Sequence, residues 1–346
     1  MLKRPVMLTR RKFVGGAGAA VVQQALPAAP TTRPNIAVID HDRILAAAKV
    51  PVAVPTARQA PDSAAFLAFT LSVPALAAAT LVDSANAPRY GERASAQLKA
   101  WFAAPETRLP TEPIYKDFEP ILDLAPLAET IVALPFLALD DGLIDQVTKW
   151  CAGYLAWLMA NRTALLARDA KSRHGSGWLL QASALARFTA NDPVLAECRH
   201  RYKTSTIRAQ IDANGYFMHE LTTENPYRNS LWNLDLLAGV CVLLSTRFES
   251  LWDYELQDGP GMRSAIARHS FYIKSREKWP YISDAMHFNL LPYRRPALLF
   301  AGRAYSEADY VTLWRTLNPD PADADLLRAF PIRQPLLWQT QPRPAV

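Results

Sequence analysis

The chain has 346 residues, of which 50% are hydrophobic and 20% charged. This balance excludes an intrinsically disordered protein and allows a sizeable core. The formal charge of +6 overstates the basic character, because residues 1–30 hold five basic and no acidic side chains and leave 6 − 5 = +1 for the rest. A nearly neutral body gives no basis for nucleic-acid binding.

Residues 1–30 are typical of an export signal. Thr9–Val14 (TRRKFV) has the twin-arginine form, Gly15–Val22 is short and weakly apolar, and Ala25–Pro30 supplies small residues for cleavage. A basic tail before a chance apolar stretch is the alternative. No later stretch has the roughly 18 uninterrupted apolar residues of a membrane span. We therefore predict a periplasmic or secreted protein without a membrane span in its mature part.

The remaining sequence predicts helices. Residues 31–60 are rich in Pro and Ala and form a predicted N-terminal segment, in which Asn35–Ile39 is typical of an extended piece. Residues 61–346 form a predicted helical domain, and strand-like alternation is nearly absent from it. Apolar residues at steps of three and four predict helices near residues 62–82, 90–102, 121–138, 143–158, 177–190, 193–212, 231–244, 261–276 and 306–317.

This pattern favours an all-α fold, an incomplete α/α toroid of helical hairpins, over an orthogonal helical bundle. The three cysteines, Cys151, Cys198 and Cys241, are too scattered for a disulfide framework or a thiolate metal site. We expect buried free thiols.

Three loop-to-helix passages concentrate polar and aromatic side chains: residues 171–181, 219–233 and 279–295. Helix entrances at one end of a toroid can converge on a single cleft, whereas helix middles cannot. A structural interpretation also exists for each passage. A histidine beside glycine commonly caps or packs, and Glu220 and Glu224 could form a solvated helix face.

The first passage resembles a family motif. Ser172-Arg-His-Gly-Ser-Gly-Trp178 is similar to the helix-entrance motif Asn-Asn-His-Gly-x-x-Trp of the alginate-lyase-like polysaccharide lyases. Four further blocks resemble that family in the right order, and the resemblance covers most of residues 85–300. The blocks are Ala100–Arg108, Gly215–Leu221, Asn229–Leu234 and Leu251–Tyr254.

The resemblance implies β-elimination on a uronic-acid polymer, alginate-like or glucuronan-like. The proton next to the sugar carboxylate is very weakly acidic, so positive or hydrogen-bonding groups must stabilise the charge that develops when it is removed. A base takes that proton and an acid supplies one to the departing glycosidic oxygen. Histidine and tyrosine suit such transfers.

The chain departs from the family pattern at three positions. Arg173 stands where the family has Asn, Thr223 where it has Arg, and Asn229 where it has Tyr, with Tyr227 and Arg228 close by as replacements. A guanidinium at either arginine would recognise a carboxylate. The predicted catalytic residues are His174, Arg173, Tyr227 and Arg228. The predicted substrate-binding residues are Trp178, Gln181, His219, Glu220, Asn225, Asn229 and Trp232.

Two alternatives remain open at this point. A glycoside hydrolase on a similar toroid would use a carboxylate pair, either Glu220 with Glu224 or Asp253 with Glu255. A glycan-binding protein would keep the cleft without the chemistry. No cluster has metal-ligand spacing, so no metal and no cofactor is predicted, although scattered loop oxygens could still hold calcium. The expected partner is an acidic polysaccharide, and the oligomeric state stays open.

Overall fold

The computed structural model describes residues 31–340, which form one packed body. The proposed export signal lies outside the described residues. Within residues 31–340 there are helices and two isolated bridge pairs, Ile211 with Phe217 and Glu255 with Gly261. The helices are α1 Ile36–Ile39, α2 His41–Lys49, α3 Ala64–Val82, α4 Ala87–Leu98, α5 Glu119–Asp123, α6 Leu127–Ala133, α7 Asp141–Ala160, α8 Arg162–Asp169, α9 Arg173–Phe188, α10 Asp192–Arg201, α11 Ile207–Gln210, α12 Pro226–Leu244, α13 Met262–Lys274, α14 Pro296–Ala304, α15 Ala308–Thr316, α16 Ala324–Arg328 and α17 Pro335–Gln339.

The helices form an inner and an outer layer. The inner helices α3, α6, α9, α12 and α14 contact one another in chain order, and the outer helices α4, α7, α10, α13 and α15 pack against them. Inner helices are buried on all sides, as residues 174–186 of α9 show, because a helix enclosed by neighbours needs no polar face. This is the predicted all-α, incomplete α/α toroid.

The segment 31–60 differs from its prediction at one point. Residues 36–39 form the helical turn α1 instead of an extended piece, because the Asn35 side chain accepts a hydrogen bond from the Val38 amide and caps it. Ile36 and Ile44 are buried in the common core. The first part of the segment is therefore packed against the toroid.

Helix α3 is long and apolar enough to cross a bilayer by length and composition alone. In this structure 61% of its most apolar stretch of 18 residues is buried, and the helix packs against α2, α4 and α6. A core helix of a globular domain has the same composition. The three cysteines are also buried and free, as expected.

Candidate active site at the helix mouth

Helices α9 and α12 pack against each other, and Arg173 at the start of α9 lies over the ring of Trp232 in the first turns of α12 and pairs with Glu220, which precedes α12. Five residues define the place where they meet, which we call the helix mouth: Glu119, Arg173, His174, Glu220 and Arg228. Helix α9 begins at Arg173, four residues before its predicted start, so that Arg173 and His174 belong to its first turn.

The two glycines of the opening motif explain how this turn fits. A Cβ on Gly175 would lie 2.2 Å from the carbonyl oxygen of Ala170, and a Cβ on Gly177 would lie 2.8 Å from Cδ1 of Leu122. Both glycines therefore allow the first turn of α9 to approach the end of α8 and the short helix α5. That approach places His174 next to Glu119.

His174 has a partner on each ring nitrogen. Nε2 lies 2.7 Å from Oε2 of Glu119, and Nδ1 lies 3.0 Å from Oγ of Ser172. A carboxylate accepts, so Nε2 carries the hydrogen and Nδ1 accepts from the serine hydroxyl. Only 8% of the His174 side chain is exposed, whereas 61% of the Glu119 side chain is. The imidazole thus lies just beneath the surface of the helix mouth.

The surroundings keep His174 neutral. Burial lowers the pKa of the imidazole from 6.5, the neighbouring Arg173 lowers it further, and Glu119 opposes both effects. A neutral imidazole retains a basic nitrogen near neutral pH. In this tautomer the basic nitrogen is Nδ1.

Arg173 is bound by a buried carboxylate. Its backbone N–H donates to Oε1 of Glu220 at 2.5 Å, and Nη1 donates to Oε2 at 2.9 Å. The Glu220 side chain is fully buried, and this burial raises its pKa while Arg173 opposes the rise. The guanidinium of Arg173 also lies over the Trp232 ring, 5.6 Å from its centroid. Arg173 is therefore held in place by protein groups.

Arg228 differs from Arg173 in having its charge available. Among residues 31–340 it forms no ion pair, and its side-chain hydrogen bond is a long one, 3.5 Å from Nε to Oδ1 of Asn229. Burial is the main cause that lowers the pKa of Arg228, and Arg173 adds to it while Asp284 opposes it. Because Arg173 influences both His174 and Arg228, the three side chains belong to one electrostatic site.

Both helix N-termini already hold an anion. Glu220 accepts the first amide of α9, and Asp284 accepts the amides of Tyr227 and Arg228 at 2.7 and 2.9 Å. These carboxylates satisfy amide groups that a helix leaves without intrahelical partners. An anionic ligand at the helix mouth would therefore bind the guanidinium of Arg228 rather than the free end of a helix.

Tyr227 does not reach the helix mouth. It is completely buried, and its hydroxyl donates to the carbonyl oxygen of Tyr272 at 3.0 Å. Burial raises its pKa far above the ordinary value. The structure thus places the phenol in the core, where it meets no ligand, and corrects the prediction that it transfers a proton.

Two other predicted binding residues are also interior. Trp178 is 1% exposed and donates from Nε1 to the carbonyl of Leu158. Gln181 bonds the hydroxyl of Tyr154 and two backbone carbonyls. These side chains hold the inner helices together, so the predictions of a stacking platform and a polar contact do not match their positions.

The remaining predicted residues border the helix mouth. Asn229 is buried and donates to Oγ1 of Thr223, and Asn225 accepts from the Met286 amide at 3.1 Å. Trp232 is 8% exposed beneath Arg173. His219 lies on the exposed surface next to Glu220.

The sequence analysis named neither Glu119 nor Asp284 as a site residue, although Asp284 falls within the predicted passage 279–295. They lie 55 and 56 residues from His174 and Arg228, respectively. The only signal for Glu119 was an acidic residue before Pro120 at a helix start.

A cavity lies at the other end of the toroid. It measures about 840 Å³ and is lined by the C-terminal parts of α6, α9, α12 and α14 and by the turn that follows α6, among them Phe136, Phe188, Leu243 and Phe300. The inner helices therefore run in the same direction, with the helix mouth at one end and this cavity at the other.

The family model described as alginate lyase matches residues 37–279. The match spans most of the chain, so the protein belongs to the alginate lyase family and is a polysaccharide lyase by class. No curated protein sequence matches the chain.

Several solved structures are similar in fold, among them two alginate lyases. The first is an alginate lyase from Bacteroides ovatus, with a TM-score of 0.69, 18% sequence identity, and coverage of 87% of this chain and 93% of that one. The second is the alginate lyase A1-III from Sphingomonas species A1, with a TM-score of 0.57, 14% identity, and coverage of 87% and 91%. At these identities the likeness supports the toroid fold.

Proposed function

We propose that this protein cleaves a uronic-acid polysaccharide, alginate-like or glucuronan-like, by β-elimination at the helix mouth. The observation that carries the proposal is the half-buried guanidinium of Arg228, which forms no ion pair within the described part of the chain and lies in the same field of Arg173 as the neutral imidazole of His174. Family membership supplies the reaction class.

In the proposed reaction Arg228 binds the carboxylate of the sugar unit. A fixed positive charge there stabilises the negative charge that spreads onto the carboxylate when the neighbouring proton leaves. Arg173 adds positive potential but keeps its contacts with Glu220. A guanidinium pairs with a carboxylate through two parallel hydrogen bonds, so Arg228 also orients the sugar.

His174 is the proposed proton-transfer group. Its Nδ1 is the basic nitrogen, and Glu119 stabilises the imidazolium that forms when Nδ1 takes a proton. The serine hydroxyl at Nδ1 must rotate away for the transfer. The electron pair of the broken C–H bond forms the new double bond as the bond to the glycosidic oxygen breaks. That oxygen leaves with the bonding pair and takes a proton from the imidazolium of His174, which restores the neutral imidazole.

Non-catalytic glycan binding is the second candidate. It is favoured by the buried phenol of Tyr227 and by the commitment of Arg173 to Glu220. The hydrolase alternative loses support, because Glu220 is buried in an ion pair with Arg173 and Asp253 pairs with Arg263 at 3.2 Å.

The test is incubation with polymannuronate, polyguluronate and glucuronan, followed by ultraviolet absorbance of unsaturated sugar ends. A carboxyl-reduced polymer is the matched control substrate, and it should give no signal. New reducing ends without the absorbance of unsaturated non-reducing ends would indicate a hydrolase, and retention on a uronan column without product would indicate a binder. Loss of the signal in His174→Ala is expected, and its full retention there would contradict the assigned role.

We further propose export through the twin-arginine route, which rests on the sequence of residues 1–30 alone. The double variant Arg10→Lys with Arg11→Lys should remain in the cytoplasmic fraction. An unchanged distribution between cell fractions would refute this route.

A further inference from the structure

A second cluster of side chains lies near the helix mouth. His287, Asp323 and Asp325 each offer one ligand atom, and these atoms all lie within 4.8 Å of one another. Nε2 of His287 lies 3.6 Å from Oδ1 of Asp323. The three residues come from two separate segments, the loop before α14 and the start of α16.

The imidazole of His287 points to a missing partner. Its Nε2 atom has no contact with solvent and no hydrogen-bond partner in the described part of the chain. A buried polar atom without a partner is costly. The Asp323 carboxylate, at 3.6 Å, is too far from Nε2 for a hydrogen bond. The nitrogen nevertheless lies close to two carboxylates, so a cation placed between them would bind the nitrogen and the carboxylate oxygens together.

The distances suit a small tetrahedral ion. Zinc binds histidine nitrogen and carboxylate oxygen at roughly 2.0–2.2 Å, which places two ligands about 3.4 Å apart. Nε2 of His287 and Oδ1 of Asp323 are 3.6 Å apart, close to that value, and all three ligand atoms lie within 4.8 Å of one another. The Asp325 side chain is exposed, so a rotation about its own bonds can bring its carboxylate to ligand spacing. Calcium and magnesium prefer oxygen-only sites, so the imidazole favours zinc.

We propose that His287, Asp323 and Asp325 form a zinc site beside the helix mouth. Oδ1 of Asp323, the atom 3.6 Å from Nε2 of His287, also caps α16 by accepting from the amides of Asp325 and Leu326, and Oδ2 forms no hydrogen bond within the described part of the chain and is available to the ion. The three residues do not form a sequence motif, because His287 and Asp323 are 36 positions apart. The inference goes beyond the proposed reaction and does not depend on it.

The site has a consequence for Arg228. Asp323 and Asp325 lie close enough to raise the pKa of Arg228, which means that they attract its guanidinium. A divalent cation bound to these two carboxylates neutralises their charge. The guanidinium is then left for an external anion, and the loop that carries Asp284 and His287 is tied to α16.

The experiment measures zinc binding directly, without polysaccharide. The full chain is dialysed against a chelator and titrated with zinc chloride by calorimetry, and cobalt substitution reports the geometry through visible ligand-field bands. One equivalent of zinc and tetrahedral cobalt bands are expected. His287→Ala and Asp323→Asn should weaken binding by at least about tenfold, and asparagine keeps the helix cap.

The matched control is His200→Ala, an exposed histidine on α10, which should bind zinc as the wild type does. Absence of zinc binding by the wild type would overturn the proposal. Equal affinity and stoichiometry in His287→Ala would do the same, since that result indicates an adventitious ion only. If one variant fails to fold, as judged by circular dichroism without metal, the other decides the result.

Discussion

Replacement of Arg228 tests the proposed role of its guanidinium most directly. A guanidinium and a carboxylate roughly 4 Å apart attract each other by about 4 kcal/mol at an effective dielectric constant of about 20. Part of this is lost because binding removes water from the sugar carboxylate and from the part of the guanidinium that is still exposed. A net loss of about 2–3 kcal/mol remains, or about 30- to 150-fold in kcat/KM for Arg228→Ala.

The assay is the initial rate of unsaturated product formation on the polymer that the wild type cleaves best. Arg228→Lys keeps the charge but loses the paired hydrogen bonds, and we expect about a tenfold loss for it. In each variant the amide of residue 228 still donates to Asp284, so the start of α12 should be preserved. Arg315→Ala, on the outer helix α15, is the control for the loss of an exposed arginine.

A folded Arg228→Ala protein with a kcat/KM within twofold of the wild type would refute the reasoning. A larger loss in Arg315→Ala than in Arg228→Ala would also refute it, because the effect would then follow net charge instead of position. Equal losses in the alanine and lysine variants would show that geometry matters more than charge.

Three further predictions concern the first turn of α9 and a buried histidine. Glu119 raises the pKa of His174, whereas burial lowers it, so we expect the acidic limb of the pH–kcat/KM profile below pH 6.5. Glu119→Gln removes the raising effect and should move this limb to lower pH. A shift to higher pH would contradict the assigned contact. Gly175→Ala should destabilise the protein by about 1–3 kcal/mol in denaturant unfolding, because the new Cβ would lie 2.2 Å from a backbone oxygen. The control Gly91→Ala should be neutral or slightly stabilising, because the nearest atom to its Cβ is 3.9 Å away. Equal effects of the two substitutions would refute the steric argument. Burial lowers the pKa of His269 to about 4. Between about pH 4 and 6.5 the folded state therefore binds fewer protons than the unfolded state. The wild type should lose up to about 3 kcal/mol of stability as the pH falls through that window. His269→Phe should reduce this loss, and an unchanged pH dependence of the free energy of unfolding would count against it.

The sequence determined the fold class and the place of the helix mouth. Periodicity at steps of three and four produces helices wherever one face is buried, and this local rule does not depend on distant residues. The motif at residues 172–178 also indicated that His174 lies at a helix entrance. Its two glycines indicated a turn at the helix start. The sequence did not indicate why glycine is needed there, which is the close approach of α8 and α5.

The tertiary structure alone decided which side chains face the helix mouth. Tyr227 and Arg228 are neighbours in sequence, but successive residues of a helix differ by about 100° in direction, so one enters the core and the other faces the helix mouth. The partners of Arg173 and His174 lie 47 and 55 residues away. Packing of the inner helices brings them together, and no local pattern records such a distance.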